Sequence, residues 1–311
     1  MLLLFCGTPR FAVPTLEQLV EAGHSVPLVV TQPDRPRGRG MELAISPVKE
    51  SALRLGIPVI QPDKIKNNEE FRAQLSALHP DAIIVVGYGR IIPQWMIDLP
   101  RHGNLNLHAS LLPKYRGAAP IQWAIARGER VTGVTTMRID AGLDTGDILM
   151  QRELPIAHED TAETLAPKLA SIGAGLMVET LRGLEAGNLH STPQDNARAT
   201  LAPILTKDDG RVDFQRTAAE ILNRLRGFQP WPGAHTRFRD RALQIHRAQI
   251  ADRAPHLAPG ELGSEGTHLF AGCGHHTSIG LIEIQPEGKR RMAARDFVNG
   301  YQPTHGEMLG P

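Results

Sequence analysis

The feature that most constrains the fold is the alternation of apolar strand patterns with amphipathic helix patterns through the first half of the chain. Asp81–Val86 carries a continuous apolar run, which is typical of a strand covered on both faces. Further strands are predicted at Leu2–Phe5, Val26–Thr31, Val59–Ile60, Gly103–His108 and Gly133–Ile139, and helices at Phe11–Ala22, Val48–Leu55, Glu69–Leu78 and Ala119–Ala126. This order of elements predicts an α/β fold, in which a mostly parallel sheet carries helices on both faces.

The second half of the chain changes character after one long helix. Periodicity predicts this helix over Thr161–Glu185, and the polar, proline-containing Leu189–Ala202 is interpreted as part of a linker. Short strands separated by turns are predicted at Ala234–Phe238, Leu243–Ile250, Gly260–Leu262, Thr267–Ala271 and Thr277–Glu283. Strands at this spacing are typical of a small β-barrel or sandwich. We therefore predict a first domain over residues 1–188, a linker over 189–206 and a second domain over 207–311.

Composition bounds the class of protein. The 311 residues suffice for one large domain or two medium domains, with an ample core. A formal charge of +1 gives no whole-chain signature of nucleic-acid binding, so any such role must rest on a local patch. Only two cysteines occur, Cys6 and Cys273, which excludes a disulfide scaffold and favours a reducing, cytoplasmic setting. Because no apolar run reaches the length that crosses a membrane, no membrane partner is expected.

The most informative motif is Asn106–His108, at the end of a predicted strand. Side chains at positions i and i+2 of a strand point to the same face, so the Asn106 amide and the His108 imidazole converge on one small volume. Ligands of such sheets bind beyond the carboxyl ends of the strands, where His108 lies. A buried asparagine or a lone histidine is by itself more often structural. The pair on one face favours a catalytic site.

A glycine-rich turn at Asp140–Asp147 supplies a third candidate, Asp144. Transfer of a formyl group between two amines needs a donor to the oxyanion, a group that donates or moves protons, and a carboxylate that orients a charged imidazole. Asn106, His108 and Asp144 meet these needs. No serine or cysteine nucleophile is required, and the chain lacks a Gly-x-Ser-x-Gly motif. A solvated surface turn remains the alternative for Asp144, because Asp and Gly are common in turns.

One set of motifs spans nearly the whole chain: Thr31–Gly40, Asn106–His108, Ser110–Pro113, Tyr115–Pro120, Asp140–Asp147 and Phe228–Pro232. Together they resemble the folate-dependent formyltransferase family, most closely its members that act on methionyl-tRNA. The resemblance implies a Rossmann-like catalytic domain followed by an OB-like β-barrel. It also implies a catalytic trio of Asn106, His108 and Asp144, and a tetrahydrofolate-binding segment formed by Ser110, Leu111, Leu112 and Pro113. The implied donor is 10-formyltetrahydrofolate, and the implied acceptor is the α-amino group of methionine on initiator methionyl-tRNA.

The segment Gln32–Pro47 is rich in proline, glycine and arginine and is predicted to be irregular. Its Arg35, Arg37 and Arg39 have few acidic neighbours in the sequence, which suits contact with the phosphates of an acceptor stem. Composition alone equally favours a solvated, flexible loop. The resemblance implies that this loop contacts the tRNA, with Arg39 at the key position.

The second domain has a local excess of arginines, which favours weak binding to a nucleic-acid backbone. They are Arg211, Arg216, Arg224, Arg226, Arg237, Arg239, Arg241 and Arg247. Surface arginines are usually only solvated, so this reading depends on the resemblance, which implies an OB-like domain that holds tRNA nonspecifically.

Three functions remain open on sequence grounds. The first is formylation of methionyl-tRNA in translation initiation, by an enzyme that we expect to be monomeric. The second is formylation of a nucleotide-linked amino sugar or another small amine, with hydrolysis of the formyl donor as a variant. The third is a non-enzymatic RNA-binding protein of the same fold, against which the complete trio argues. No metal is expected, because Cys273–His276 lacks a matching second pair of ligands.

Overall fold

The computed structural model describes residues 1–37, 42–251, 256–304 and 306–310 of the chain. Two compact units divide it. The first comprises Met1–Pro120, Val131–Pro155 and Ala166–Pro203, and the second comprises Ile121–Arg130, Ile156–Leu165 and Ile204–Pro311. Residues 189–203 thus belong to the first unit. The functions that the sequence assigns to residues 1–188, 189–206 and 207–311 stay predictions.

Seven of the described strands form one sheet in the first unit, in the order β5-β2-β1-β6-β7-β8-β9. The strands up to β9 are β1 (Leu2–Gly7), β2 (Ser25–Val30), β3 (Arg35–Arg37), β4 (Glu42–Ala44), β5 (Val59–Ile60), β6 (Ala82–Val86), β7 (Asn104–His108), β8 (Val131–Arg138) and β9 (Ile148–Pro155). The pairings from β5 to β7 are parallel, whereas β8 and β9 are antiparallel to their neighbours. The predicted mostly parallel sheet is confirmed.

Helices alternate with these strands, and two of them begin after a residue whose side chain caps the helix N-terminus. They are α1 (Val13–Glu21), α2 (Pro47–Arg54), α3 (Glu69–Ala77), α4 (Gln94–Ile97), α5 (Pro120–Ala126) and α6 (Ala162–Glu185). Ser46 caps α2 by accepting a hydrogen bond from the Lys49 backbone N–H, and Asn68 caps α3 in the same way from Phe71. Buried side chains of β1, β2, β6 and α3 pack together, so that the sheet forms a rigid platform beneath its carboxyl edge.

The second unit contains an antiparallel sheet, in which the described strands follow the order β10-β11-β14-β13-β12, with β15 beside β14. Its elements are α7 (Ala218–Gly227), β10 (Ala234–Phe238), β11 (Arg241–Ile250), β12 (Leu262–Glu265), β13 (His268–Cys273), β14 (Thr277–Pro286), β15 (Met292–Ala293) and α8 (Ala294–Tyr301). Leu309 pairs with Phe238 of β10, and Met308 pairs with Glu261 beside β12. Because β10 and β12 are the two edges, the C-terminal segment closes the sheet into the expected barrel.

Several elements differ from the sequence prediction. β9 was not predicted, because four of the eight residues of this edge strand are exposed and it lacks a strong apolar pattern. The segment 32–47, predicted to be irregular, contains a hairpin in which Arg35 pairs with Ala44. α8 was also missed, and β12 begins at Leu262, where the predicted strand Gly260–Leu262 ends. Short elements of this kind are set by their partners rather than by their own periodicity.

Candidate active site

Asn106 and His108 lie on one face of β7, inside the first sheet. β7 pairs in parallel with β6 and antiparallel with β8, so both flanks of the strand are fixed. His108 is only 6% exposed. Asn106 is half-buried, and within the described part of the chain its side-chain amide makes no hydrogen bond. One polar group of the predicted pair is therefore held by the protein, and the other is available to a ligand.

Each ring nitrogen of His108 faces an oxygen. Nε2 lies 2.9 Å from the carbonyl oxygen of Tyr115, and Nδ1 lies 3.6 Å from Oδ2 of Asp144. Since a carbonyl oxygen only accepts, Nε2 carries a hydrogen, and the neutral ring has its lone pair on Nδ1. A separation of 3.6 Å exceeds a hydrogen bond, so Asp144 acts on Nδ1 as a nearby negative charge. Nδ1 is thus the nitrogen that can exchange a proton.

The Asp144 carboxylate is held in place by the backbone. Its Oδ2 accepts a hydrogen bond of 2.8 Å from the Gly117 N–H. Asp144 and Tyr115 both have positive φ angles, 52° and 62°, which side-chain-bearing residues seldom adopt. The two residues that face the His108 ring are therefore both in strained conformations, which persist only where the surroundings hold them.

The other two carboxylates of the Asp140–Asp147 turn bind their own surroundings. Thr145 Oγ1 donates to Asp140 at 2.7 Å, and Ser191 Oγ donates to Asp147 at 2.8 Å. A Cβ atom on Gly146 would lie 2.0 Å from the Arg138 carbonyl oxygen. Glycine at this position therefore lets the turn pack against β8.

The predicted folate segment Ser110–Pro113 is fixed by two strands that follow it. Thr135 of β8 donates to the Ser110 carbonyl at 2.6 Å and accepts from the Leu112 N–H at 3.2 Å. Gln151 of β9 donates to the Leu112 carbonyl at 2.9 Å. The Ser110 hydroxyl itself donates to the Lys114 carbonyl at 2.6 Å, which closes the loop on itself. The backbone of the segment is thus held rigid, with Ser110 and Leu112 buried.

The arginine segment is only partly described. Arg35 is exposed in the β3–β4 hairpin, the backbone of Arg37 pairs with Glu42, and Arg39 lies outside the described residues. The base of the hairpin is held by Lys49, which donates to Asp34 at 2.5 Å. This hydrogen bond is the main reason why the pKa of Asp34 lies below its ordinary value.

The arginines of the second unit fall into two groups. Arg226 donates to the carbonyl oxygens of Ala157, His158 and Asp160, and Arg239 forms a salt bridge with Glu307. Arg226 thus serves the packing of the unit itself. The exposed members of the predicted basic set are Arg211, Arg237, Arg239, Arg241 and Arg247, of which Arg239 is paired with Glu307.

Sequence reasoning missed four residues that shape the site: Arg116, Thr135, Gln151 and Gln194. Arg116 lies within the motif Tyr115–Pro120, but the sequence assigned it no role. Its near-complete burial, at 7% exposed, is a tertiary property. Thr135 resembles any β-branched strand residue. Gln194 lies in the predicted linker, where no local signal marks it.

The part of the chain that the structure describes lacks both a metal-binding cluster and a membrane-spanning helix. No group of three or more His, Cys, Asp or Glu side chains is placed to hold a metal ion there. No described helix is long and apolar enough to cross a membrane.

Two family models match the chain. The model described as formyl transferase matches residues 1–181, and the model described as formyl transferase, C-terminal domain, matches residues 204–302. The two matches cover the parallel-sheet part and the closed-barrel part respectively.

Similar proteins match over the full length. The methionyl-tRNA formyltransferase of Koribacter versatilis is 69% identical over 310 residues, covering 100% of this chain and 99% of that one. The enzyme of the same name from Acidobacterium capsulatum is 64% identical over 300 residues, covering 96% of each chain. Among solved structures, the N-formyltransferase from Helicobacter canadensis, in complex with folinic acid and dTDP-3-aminofucose, has a TM-score of 0.66 at 20% identity. That match covers 91% of this chain and 98% of the other, and it shows a shared fold alone.

Proposed function

The chain belongs to the formyl transferase family, and we infer that it transfers the formyl group of 10-formyltetrahydrofolate to the α-amino group of methionine on initiator methionyl-tRNA. The observation that carries this inference is the full-length identity to proteins named methionyl-tRNA formyltransferase. The product, N-formylmethionyl-tRNA, serves translation initiation, and we propose that the enzyme acts in the cytoplasm. We expect it to act as a monomer.

The Asn106 amide is assigned to the oxyanion. The neutral amine attacks the formyl carbon, and the carbonyl oxygen gains negative charge as the new C–N bond forms. The Asn106 side chain has no other hydrogen-bond partner among the described residues, so its N–H group is free to donate to that oxygen. Loss of such a donor costs about 3–4 kcal/mol of barrier. The C–N bond to the folate nitrogen then breaks.

His108 is assigned to proton movement. The attacking amine loses a proton, and the departing folate nitrogen gains one. Nδ1 of His108 can accept and return this proton, because Nε2 is already committed to the Tyr115 carbonyl. The Asp144 carboxylate, 3.6 Å from Nδ1, stabilises the imidazolium while it carries the proton.

The segment Ser110–Pro113 is assigned to the folate donor. Its support is geometric: Thr135 and Gln151 hold its backbone rigid immediately after His108, at the carboxyl end of β7. A rigid segment beside the reacting groups would position the formyl carbon with little loss of the protein's conformational entropy on binding.

The tRNA is assigned to two basic regions. Arg35, Arg37 and Arg39 contact the acceptor stem, and the barrel domain over residues 207–311 contacts the backbone elsewhere, after a linker over 189–206. The exposure of Arg35 and of several barrel arginines supports this assignment.

Formyl transfer from 10-formyltetrahydrofolate tests the function directly. The acceptors are charged initiator tRNA and, separately, a nucleotide-linked amino sugar. We expect formyl-methionine on the tRNA and no formylated sugar. Transfer to the sugar alone would establish the alternative function, and release of formate without any acceptor would indicate a hydrolase.

A further inference from the structure

We propose that Gln194 is a positioning residue for formyl transfer, and that residues 192–202, here termed the buttress, hold both oxygen partners of the His108 ring. The inference rests on the proposed function, because it concerns the same site. The sequence pattern makes these residues part of a linker, yet they belong to the first compact unit. They pair with β9 through Thr192, whose N–H donates to the Ile148 carbonyl at 2.8 Å.

The side chain of Gln194 uses both ends of its carboxamide. Nε2 donates to the carbonyl oxygens of Asp144 at 2.9 Å and Gly146 at 2.7 Å. Oε1 accepts from Arg116, at 3.0 Å from Nε and 2.7 Å from Nη2. The two donated bonds hold the carbonyl of the strained residue Asp144 itself and that of Gly146, two residues later. Gln194 therefore stabilises the backbone conformation that aims the Asp144 carboxylate at His108.

Arg116 anchors Gln194 from a buried position. Its guanidinium also donates to Asn196 Oδ1 at 2.8 Å, so the side chain has two partners within the buttress. Its backbone is paired as well, because Arg116 N–H donates to the Thr200 carbonyl and Ala202 N–H donates to the Arg116 carbonyl, at 2.9 and 2.7 Å. The buttress is thus bonded to Arg116, in the loop that follows β7, at Gln194, Asn196, Thr200 and Ala202.

The other partner of His108 is held by the same segment. The Tyr115 N–H donates to Thr200 Oγ1 at 2.9 Å. The Arg116 N–H, which shares a peptide group with the Tyr115 carbonyl, donates to the Thr200 carbonyl at 2.9 Å, so Thr200 holds the backbone on both sides of Tyr115 while that carbonyl oxygen faces Nε2. Gly117, whose N–H binds Asp144, lies directly against the buttress, because a Cβ atom there would be 2.6 Å from the Ala202 carbonyl oxygen. The oxygen partners of both His108 ring nitrogens therefore depend on one irregular segment, the buttress.

Two charge-matched variants test the role of Gln194. Gln194→Glu keeps an acceptor for Arg116 but replaces the two N–H donors with an oxygen that repels the carbonyl groups of Asp144 and Gly146. Asn196→Asp adds the same negative charge beside Arg116 and leaves the turn untouched. We expect Gln194→Glu to lower kcat by about 100-fold with little change in KM for charged tRNA. We expect Asn196→Asp to change kcat by no more than about twofold. Equal losses in both variants would overturn the proposal.

A double-mutant cycle separates positioning from general structural damage. If Gln194 acts through Asp144, adding Gln194→Glu to an Asp144→Asn background lowers kcat by no more than about a further twofold. A full further loss of about 100-fold would show that Gln194 acts independently of Asp144 and would contradict the proposal.

An NMR measurement decides the inference without activity. The Gly117 amide reports the position of Asp144, because it donates to that carboxylate at 2.8 Å. We expect Gln194→Glu to shift the Gly117 amide resonance and speed its hydrogen exchange, and Asn196→Asp to leave both unchanged. An unchanged Gly117 amide in Gln194→Glu overturns the inference. Failure of the wild-type protein to formylate charged tRNA would instead overturn the proposed function.

Discussion

Strand β7 and the buttress contribute to the same site in opposite ways. β7 carries Asn106 and His108, the groups assigned to the reaction, on a regular strand bonded on both sides. The buttress, residues 192–202, has little regular structure and carries none of the groups assigned to the reaction. It holds Asp144 and Tyr115, which orient the His108 ring.

The two regions position their side chains by different physical means. A strand aims alternate side chains simply through its pleat, so β7 needs no special residues to bring two polar groups together. Asp144 and Tyr115 lie in turns with positive φ, a conformation that is uncommon for residues other than glycine. Their positions require hydrogen bonds from a distant part of the chain.

The largest effect is expected on β7 itself. Asn106→Ala removes the N–H donor assigned to the oxyanion, and we expect kcat to fall by about 10²–10³-fold. The folded state should be unaffected, because the Asn106 side chain has no hydrogen-bond partner within the described residues. Steady-state formyl transfer to charged tRNA, with thermal unfolding as the control, checks this. Near-normal turnover would remove Asn106 from the reaction.

The contact between the buttress and the loop after β7 should rank second. Gly117→Ala places a methyl group against the Ala202 carbonyl oxygen at a residue with φ +120°. We expect a loss of about 1–3 kcal/mol of unfolding free energy, together with lower kcat. Gly187→Ala is the matched control, because it has φ +66° and no atom within 4 Å. The same loss of kcat in the control would show that backbone strain alone, without the buttress, explains the effect.

A smaller effect is expected from one hydroxyl of the buttress. Thr200→Val removes the acceptor of the Tyr115 N–H, and we expect a loss of about 1 kcal/mol of unfolding free energy and a modest fall in kcat. Thr200→Ser retains the hydroxyl and should restore most of both. Denaturant unfolding and turnover, measured side by side, test this. Wild-type stability and turnover in Thr200→Val would show that this hydrogen bond contributes to neither.

The smallest effect on the chemistry is expected far from both regions. Arg35→Ala removes one exposed cation from the β3–β4 hairpin. We expect weaker tRNA binding and a salt-dependence slope smaller by about one, with kcat at saturating tRNA unchanged. Binding measured over a range of salt concentrations tests this assignment. An unchanged slope would mean that Arg35 contacts no phosphate.

Much of the site could be predicted from the sequence because its residues lie on regular elements. The apolar run of β6 and the spacing of Asn106 and His108 follow the periods of strands, and the parallel order follows from alternating elements. Asp144 was singled out among three carboxylates by resemblance, and only the structure separates it from Asp140 and Asp147, which bind Thr145 and Ser191.

Residues 189–202 show why the rest of the site could not be predicted from the sequence. Their composition is polar and contains proline, which describes a linker and an ordered irregular segment equally well. Gln194 bonds to residues 48 and 50 positions before it and to Arg116, 78 positions before it. No window of local sequence contains such a pattern, so propensity and periodicity have nothing to detect.

Short-range periodicity and local motifs predict the alternation of strands and helices in the first half of the chain, the family resemblance, and the two polar side chains that share a face of β7. Which carboxylate faces His108, which ring nitrogen is left to exchange a proton and which segment holds the strained turns are properties of the folded chain alone. Those outcomes depend on hydrogen bonds between residues far apart in the chain, which form only when the sheet brings them together.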